Sequence, residues 1–262
     1  MKTNDQSRSQ RAFLLRARRF CLESWLILAL APPMMADDLP ASTPAEGSPP
    51  PDPQLVERWD ASYRDGRRPG WDTGRPSTEL KRLFEQKVLR PGRVLELGCG
   101  TGVNVVYLAS QGCDVTAIDL APTALQTAKE RAREAGVQVR WIQADVLAPP
   151  PLEPFDLIFD RGCYHGVRRQ NAAGYVETVK RLCRPGGRVL ILAGNANEPG
   201  PAYGPPRVDE TELVSDFSAA FDFERLQEIR FDTADPSRPG AWAWSVLLRR
   251  KPVSEATSAD RP

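Results

Sequence analysis

Arg93-Val94-Leu95-Glu96-Leu97-Gly98-Cys99-Gly100-Thr101-Gly102 is the stretch that decides the fold. Its first half reads as a short apolar strand, and three glycines at alternating positions follow directly. Glycines after a strand let the backbone turn tightly and approach a ligand without a Cβ in the way. Val103 to Ser110 then reads as a helix closed by Gly112, with free N–H groups and partial positive charge at its start. The same unit recurs downstream. Asp114–Ile118 is a strand ended by Asp119, followed by a helix over Thr123–Ala135 that stops at Gly136. Val137–Ile142 is a strand ended by Asp145, and Phe155–Phe159 is another ended by Asp160. A helix over Ala172–Cys183, a turn at Arg184-Pro185-Gly186-Gly187 and a strand over Arg188–Ala193 complete the repeat. Further elements are expected at Ser77–Val88 (helix), Glu210–Ala220 (helix), Leu226–Phe231 (strand) and Ala241–Arg249 (strand). Strands alternating with helices predict an α/β fold, a doubly wound and mainly parallel sheet. Ligands on such sheets sit beyond the carboxyl ends of the strands.

Those strand ends carry a specific chemistry. Dinucleotide enzymes place G-x-G-x-x-G here for a pyrophosphate, but this chain has Val103 at the third glycine position. Glu96 puts a carboxylate beside the loop, which suits a cationic amino group better than a polyphosphate. Asp119 lies 23 residues after Glu96, placed to accept both hydroxyls of a ribose. Asp145 ends the third strand, where it can accept from an exocyclic adenine amine. A lone strand-end aspartate is more often a solvated loop residue. Acids for an amine, a ribose and an adenine on consecutive strand ends together describe S-adenosylmethionine.

Val94-Leu-Glu-Leu-Gly-Cys-Gly-Thr-Gly102, Asp119, Ala144-Asp145-Val146, Phe155-Asp-Leu-Ile-Phe-Asp160 and Arg184-Pro-Gly-Gly-Arg-Val-Leu190 resemble the successive motifs of class I S-adenosylmethionine-dependent methyltransferases. The resemblance spans about residues 90–195 and implies the seven-stranded, Rossmann-like sheet of that family. It also implies that Glu96, Gly98, Gly100, Gly102, Asp119, Leu120, Asp145, Val146 and Asp160 attend the cofactor. Trp59-Asp-Ala-Ser-Tyr63, Gly66 and Gly70-Trp-Asp-Thr-Gly-Arg-Pro76 resemble the N-terminal segment of the thiopurine methyltransferase and plant halide/thiol methyltransferase group. Gly204-Pro205-Pro206-x-Val208 is similar to a later segment of the same group. This second likeness implies a lid whose Trp59 and Trp71 fold over the cofactor. A sulfonium is attracted to aromatic faces, with packing of the segment onto the sheet edge as the plain alternative, a role the same rings can serve at once. Tyr63 stands where plant members have another Trp, Gly70 is an extra residue, and Arg161 replaces a plant Tyr.

Methyl transfer from a sulfonium to a soft nucleophile needs positioning more than acid–base help. Candidates to line the acceptor pocket follow the fourth strand: Asp160, Arg161, Cys163, Tyr164 and His165. His165 is the only histidine in the chain and is the candidate general base, with a hydrogen-bonding role at a helix start as the plain alternative. Tyr164 is the second catalytic candidate, as a pocket wall more than a proton carrier. Arg207 is a candidate to orient an anionic acceptor, with an ordinary exposed arginine as the plain alternative. The expected activity is methyl transfer to a thiol, a halide or a related metalloid oxyanion. The alternatives are a small-molecule N-, O- or C-methyltransferase, or a non-catalytic module that binds S-adenosylmethionine.

Composition narrows the partners. The 262 residues carry 35 Lys+Arg against 34 Asp+Glu, a net charge of +1. No basic excess or basic aromatic stripe suggests nucleic acid, and Asp160-Arg-Gly-Cys-Tyr164 differs from the Asn/Asp-Pro-Pro-Tyr/Phe run of base-amine methyltransferases. A small acceptor and a monomer or weak oligomer are therefore expected. Five cysteines without a C-x-x-C pair and a single histidine suggest neither a disulfide framework nor a metal site. They fit a cytoplasmic, reducing compartment. Residues 1–35 are basic, then briefly apolar at Trp25–Ala31, in the order of a weak export signal. That run is too short to span a membrane, which takes roughly 20 residues. Alternatively, translation starts at Met34 or Met35, or the segment is a basic arm. Residues 36–53 read as a Pro-rich linker, 54–251 as the methyltransferase domain and 252–262 as a flexible tail.

Overall fold

A computed structural model describes residues 49–199, 204–235 and 237–252. The expectations for the leader, most of the linker and nearly all of the tail lie outside those residues.

The sheet is built on β1 (Arg93–Leu97), β2 (Asp114–Asp119), β3 (Arg140–Gln143), β4 (Phe155–Arg161) and β5 (Cys183–Asn195). Two residues, Arg207–Val208, form β6 beside β5, and β7 (Phe221–Arg230) and β8 (Trp242–Arg250) close the chain. The order is β3-β2-β1-β4-β5-β8-β7, parallel from β3 through β5, with β8 antiparallel to both β5 and β7. Successive side chains point to opposite faces of a strand, so each central strand feeds two cores. Leu95, Leu97, Ile158, Val189 and Ile191 meet Tyr175, Val179 and Phe217 on one face. Val94, Leu157, Phe159 and Leu190 meet Leu80, Leu83, Val105 and Leu108 on the other.

The helices are α1 (Pro53–Asp60), α2 (Thr78–Glu85), α3 (Val103–Ser110), α4 (Pro122–Glu134), α5 (Tyr164–Leu182) and α6 (Glu210–Phe217). Local side-chain caps start three of the six, α1, α2 and α6. Asp52 caps α1 ahead of Pro53, and Asp209 with Glu212 forms a capping box on α6. Helix α4 opens on Pro122 without a cap of its own, since Ala121 has no side-chain acceptor. Its missing cap comes from α1: Asp60 accepts from Thr123 N at 2.8 Å and from Thr123 Oγ1 at 3.0 Å. The N-terminal segment is thereby tied to the helix behind the second strand.

Several boundaries depart from the sequence reading. Helix α5 begins at Tyr164 rather than Ala172, with a break at Asn171. Strand β5 begins at Cys183 rather than Arg188, and a register shift against β4 absorbs the glycine pair that reads as a turn. Strand β7 starts five residues before Leu226, at Phe221. Its alternating charges sit on an edge strand with solvent on one side.

Candidate active site

The strand order reverses between β1 and β4, which is where doubly wound sheets bind ligands. A cavity of about 640 Å³ opens there, lined by the ends of β1, β2, β3 and β4, the lid and the β7–β8 connection. The three glycines after β1 all have positive φ. At Gly98 a Cβ would lie 2.8 Å from the Cβ of Cys163, and at Gly100 it would lie 3.2 Å from the Tyr63 hydroxyl. Both line the cavity. Gly102 sits behind the loop, where a Cβ would meet that of Ala128 at 2.7 Å. It lets α3 pack on α4 and is not among the residues that line the cavity.

Glu96 is 2% exposed on the α3 side of the sheet. Asn104 Nδ2 donates to its Oε1 at 3.1 Å, and Ser77 N donates in turn to Asn104 Oδ1 at 2.8 Å. Oε2 is buried with no partner. Burial drives this carboxyl up to about 8, with Asp160 and Asp119 pushing the same way. An unpartnered carboxylate oxygen in a cavity wall is what a cationic amino group would satisfy. Asp119 accepts from Gly100 N at 2.7 Å and from Ala121 N at 2.8 Å, so the acid and the glycine loop hold each other in place. Burial raises its pKa. Asp145 accepts from Leu147 N at 2.9 Å and lines the cavity with Leu120 and Val146. The donor set and the glycine cradle fit S-adenosylmethionine, with one carboxylate apiece for ammonium, ribose and adenine.

The lid is aromatic and latched at three points. Trp71 meets Trp59 at 6.3 Å and Tyr63 at 6.4 Å between ring centroids, both edge-on. Trp71 Nε1 donates to the Tyr63 hydroxyl at 3.1 Å. Tyr63 is buried over Gly100, its phenol pushed above its usual range by burial, and it is as much part of the wall as the two tryptophans. Besides the Asp60 cap, Thr101 Oγ1 in the glycine loop donates to Asp72 at 2.8 Å, and Arg131 bonds the same Thr101. Arg161 Nη1 donates to the Trp71 carbonyl at 3.0 Å and Nη2 to the Asp232 carbonyl at 3.4 Å, its guanidinium over the Phe231 ring. The replacement at position 161 has a structural use: it clasps the lid to the β7–β8 connection. Sequence patterns did not single out Asn104, which meets Glu96 from the next element, or Phe231, whose partner Arg161 lies on a distant one.

The residues after β4 separate into two groups. Arg161, Cys163 and His165 line the cavity, but Asp160 and Tyr164 do not. Asp160 is fully buried and accepts from Cys163 N at 3.0 Å, Tyr164 N at 2.9 Å and the Tyr175 hydroxyl at 2.6 Å. It anchors the turn into α5, and burial lifts its pKa to about 6. Tyr164 is also fully buried and points toward α6, donating to Asp216 at 2.6 Å. It is neither a pocket wall nor within reach of the cavity. Cys163 has its thiol raised well above the usual range by burial. Arg207 lies off the cavity wall and donates to the Glu198 carbonyl at 3.0 Å. His165 is 7% exposed, and Gly194 N donates to its Nδ1 at 2.9 Å. Among the described residues no group of three His, Cys, Asp or Glu side chains could hold a metal ion, and no helix is long and apolar enough to cross a membrane.

Comparison with known proteins agrees with this geometry. Residues 94–187 match a protein-family profile described as a methyltransferase domain. The chain is 33% identical over 168 residues to a 2-heptyl-1-hydroxyquinolin-4(1H)-one methyltransferase of Mycobacteroides abscessus, covering 61% of this chain and 74% of that one. It is 32% identical to probable thiol methyltransferase 2 of Arabidopsis thaliana, covering 55% of this chain and 66% of the plant protein. Among solved structures, the 1,6-didemethyltoxoflavin-N1-methyltransferase of Burkholderia thailandensis, with bound 1,6-didemethyltoxoflavin and S-adenosylhomocysteine, superposes with a TM-score of 0.59 at 25% identity. That match covers 81% of this chain and 95% of the other. The chain belongs to the class I S-adenosylmethionine-dependent methyltransferases, and S-adenosylmethionine is its cofactor.

Proposed function

We propose that the domain spanning residues 54–251 transfers a methyl group to a small soft nucleophile: a thiol, a halide or a related metalloid oxyanion. The observation that carries this reading is the character of the cavity beyond the cofactor residues. Its wall there includes the apolar side chains of Val167, Pro205, Pro206 and Phe231 and the Gly162 backbone, with Arg161, His165, Gln170, Asp232 and Thr233 beside them. The acids nearby are committed elsewhere. Asp232 accepts from Thr78 N at 3.0 Å and Thr78 Oγ1 at 2.5 Å, and Asp160 faces away. Such a wall suits a polarisable nucleophile that needs no deprotonation at the moment of transfer.

When bound, S-adenosylmethionine supplies an electrophilic methyl carbon, to which the acceptor's lone pair bonds while the carbon–sulfur pair leaves with a neutral thioether. The chain's own residues bind and orient. Glu96 takes the ammonium, Asp119 the ribose hydroxyls and Asp145 the adenine amine. Trp59, Tyr63 and Trp71 close over the site and exclude water. The thiol methyltransferase among the relatives supports this acceptor class, while the N1-methyltransferase neighbour favours a nitrogen acceptor as the second reading. The test is a panel of thiols, halides, selenite, tellurite, amines and phenols, with S-adenosylhomocysteine release as the readout. Turnover with thiols or halides is expected; turnover confined to amines or hydroxyls would support the second reading instead.

A further inference from the structure

We infer that His165 serves the acceptor as a fixed hydrogen-bond donor through Nε2–H, held in that role by the backbone N–H of Gly194, and that the acceptor's attacking lone pair is free of a proton on arrival. This inference rests on the cavity being a methyl-transfer site.

Gly194 N donates to His165 Nδ1 at 2.9 Å, so Nδ1 presents a lone pair. A neutral imidazole has one N–H, and here it must be on Nε2. Burial, assisted by the Arg161 cation, drives the ring down to about 4, so it is neutral around pH 7. To act as a base at Nε2, the ring would have to carry its proton on Nδ1, pointed at the Gly194 N–H. An imidazolium meets the same obstacle. The obstacle is rigid. Gly194 is in register with Ala243 of β8 and Arg207 of β6, and a Cβ there would lie 2.3 Å from the Pro206 carbonyl oxygen. The strand is wedged against the Gly204-Pro205-Pro206 wall and cannot withdraw its N–H without unpairing.

The other edge of the ring is available. Nε2 has no protein partner among the described residues, and it lies 3.6 Å from the position of a Cβ on Gly162 at the cavity wall. The ring stands edge-on to Phe231, 6.3 Å between centroids. None of the neighbouring titratable groups supplies a base in its place. The Cys163 thiol is held protonated by burial, with Asp160 adding to the effect. Asp160 bonds Cys163, Tyr164 and Tyr175, Asp232 bonds Thr78, and Arg161 is a cation on two carbonyls. An acceptor entering as an anion therefore leaves as a neutral methylated product. No proton passes through the protein.

Because His165 is the chain's only histidine, its ring nitrogens can be observed in the full-length protein without assignment. Long-range proton–nitrogen correlation spectra of the nitrogen-15-labelled chain from pH 5 to 8 should show a neutral Nε2–H tautomer throughout. An Nδ1–H tautomer, or a ring titrating near its ordinary value of 6.5, overturns the inference whatever the acceptor proves to be. Kinetics give the second arm. His165→Gln keeps an amide donor but removes the titration, so kcat/KM should stay within about tenfold of wild type. The rising limb of its pH profile should move with the acceptor's own pKa across a series of thiols. A loss beyond 100-fold in His165→Gln, together with a limb that stays fixed when the thiol is changed, would make His165 the base. If no thiol turns over, the acceptor reading fails while the spectra still judge His165.

Discussion

Replacing Glu96 with glutamine separates the charge of this carboxyl from its shape. The amide keeps an acceptor for Asn104 Nδ2, which lies 3.1 Å from Oε1, and removes the ionisable group whose Oε2 has no partner. With a pKa of about 8, wild-type Glu96 is mostly neutral in the free protein at pH 7. Ionising it there costs about 1.4 kcal/mol, the equivalent of one pH unit. A charge-assisted hydrogen bond to an ammonium returns about 1.5–3 kcal/mol. The net advantage of wild type over Glu96→Gln is thus at most about tenfold in affinity at pH 7, and near parity at pH 6. At pH 8 it grows to tens of fold. The sign follows from the proton: the free carboxyl holds it and the ion-paired carboxylate does not, so binding releases a proton and tightens as pH rises toward 8. Titration calorimetry with S-adenosylmethionine at pH 6, 7 and 8, in two buffers of different ionisation enthalpy, measures both quantities. Wild type should gain about two- to sixfold in affinity per pH unit between 6 and 8 and release about half to nearly one proton at pH 7. Glu96→Gln should lack both effects. The free protein should respond in the opposite sense. Since the folded pKa lies above the ordinary 4.5, its stabilising contribution is complete below that value and lost as pH rises through 8. The melting temperature should fall from pH 6 to 8 more steeply in wild type than in the variant. A wild-type affinity that is flat from pH 6 to 8 with buffer-independent enthalpy, or a variant with the wild-type slope, would show that the ammonium does not pair with Glu96.

Three other substitutions probe the scaffold. Tyr164→Phe removes a hydroxyl bonded to Asp216 outside the cavity, so turnover per folded molecule should stay within twofold, while urea denaturation shows a loss of about 1–3 kcal/mol. Asp60→Ala strips the borrowed cap from α4 and should cost about 1–2 kcal/mol in the same assay, with faster cofactor release in stopped-flow tryptophan fluorescence. Gly194→Ala forces a methyl group against the Pro206 carbonyl; about 1–3 kcal/mol of overpacking is expected, with KM for the acceptor rising more than Kd for the cofactor.

The parts of this molecule that were legible in the sequence are those fixed by short spacing. The apolar runs ending at Leu97, Asp119 and Asp160 identified the parallel strands, and the residues at or just past the ends of β1, β2 and β3 gave one side of the cavity. Helix α5 was read too short because Gly166 and the polar run Arg168-Arg169-Gln170-Asn171 carry no apolar stripe, and the chain does break at Asn171. The side-chain directions of Asp160 and Tyr164 were beyond any local pattern. One depends on Tyr175 on the next helix, the other on Asp216, 52 residues away. The same holds for His165. Its residue type suggested a base, but its tautomer is set by a backbone N–H 29 residues downstream. Position 161 shows the limit from the other side, since an arginine that looked like a departure from the plant pattern joins the lid to the far edge of the cavity.

One competition decides which atom receives the methyl group. The purified full-length chain is incubated with methyl-carbon-13 S-adenosylmethionine and a single small acceptor that carries a thiol, an amine and a hydroxyl group. The product is then identified by its methyl carbon shift. An S-methyl product is expected, formed at a rate that follows ionisation of the thiol. An N-methyl or O-methyl product formed while the thiol is left free would contradict it.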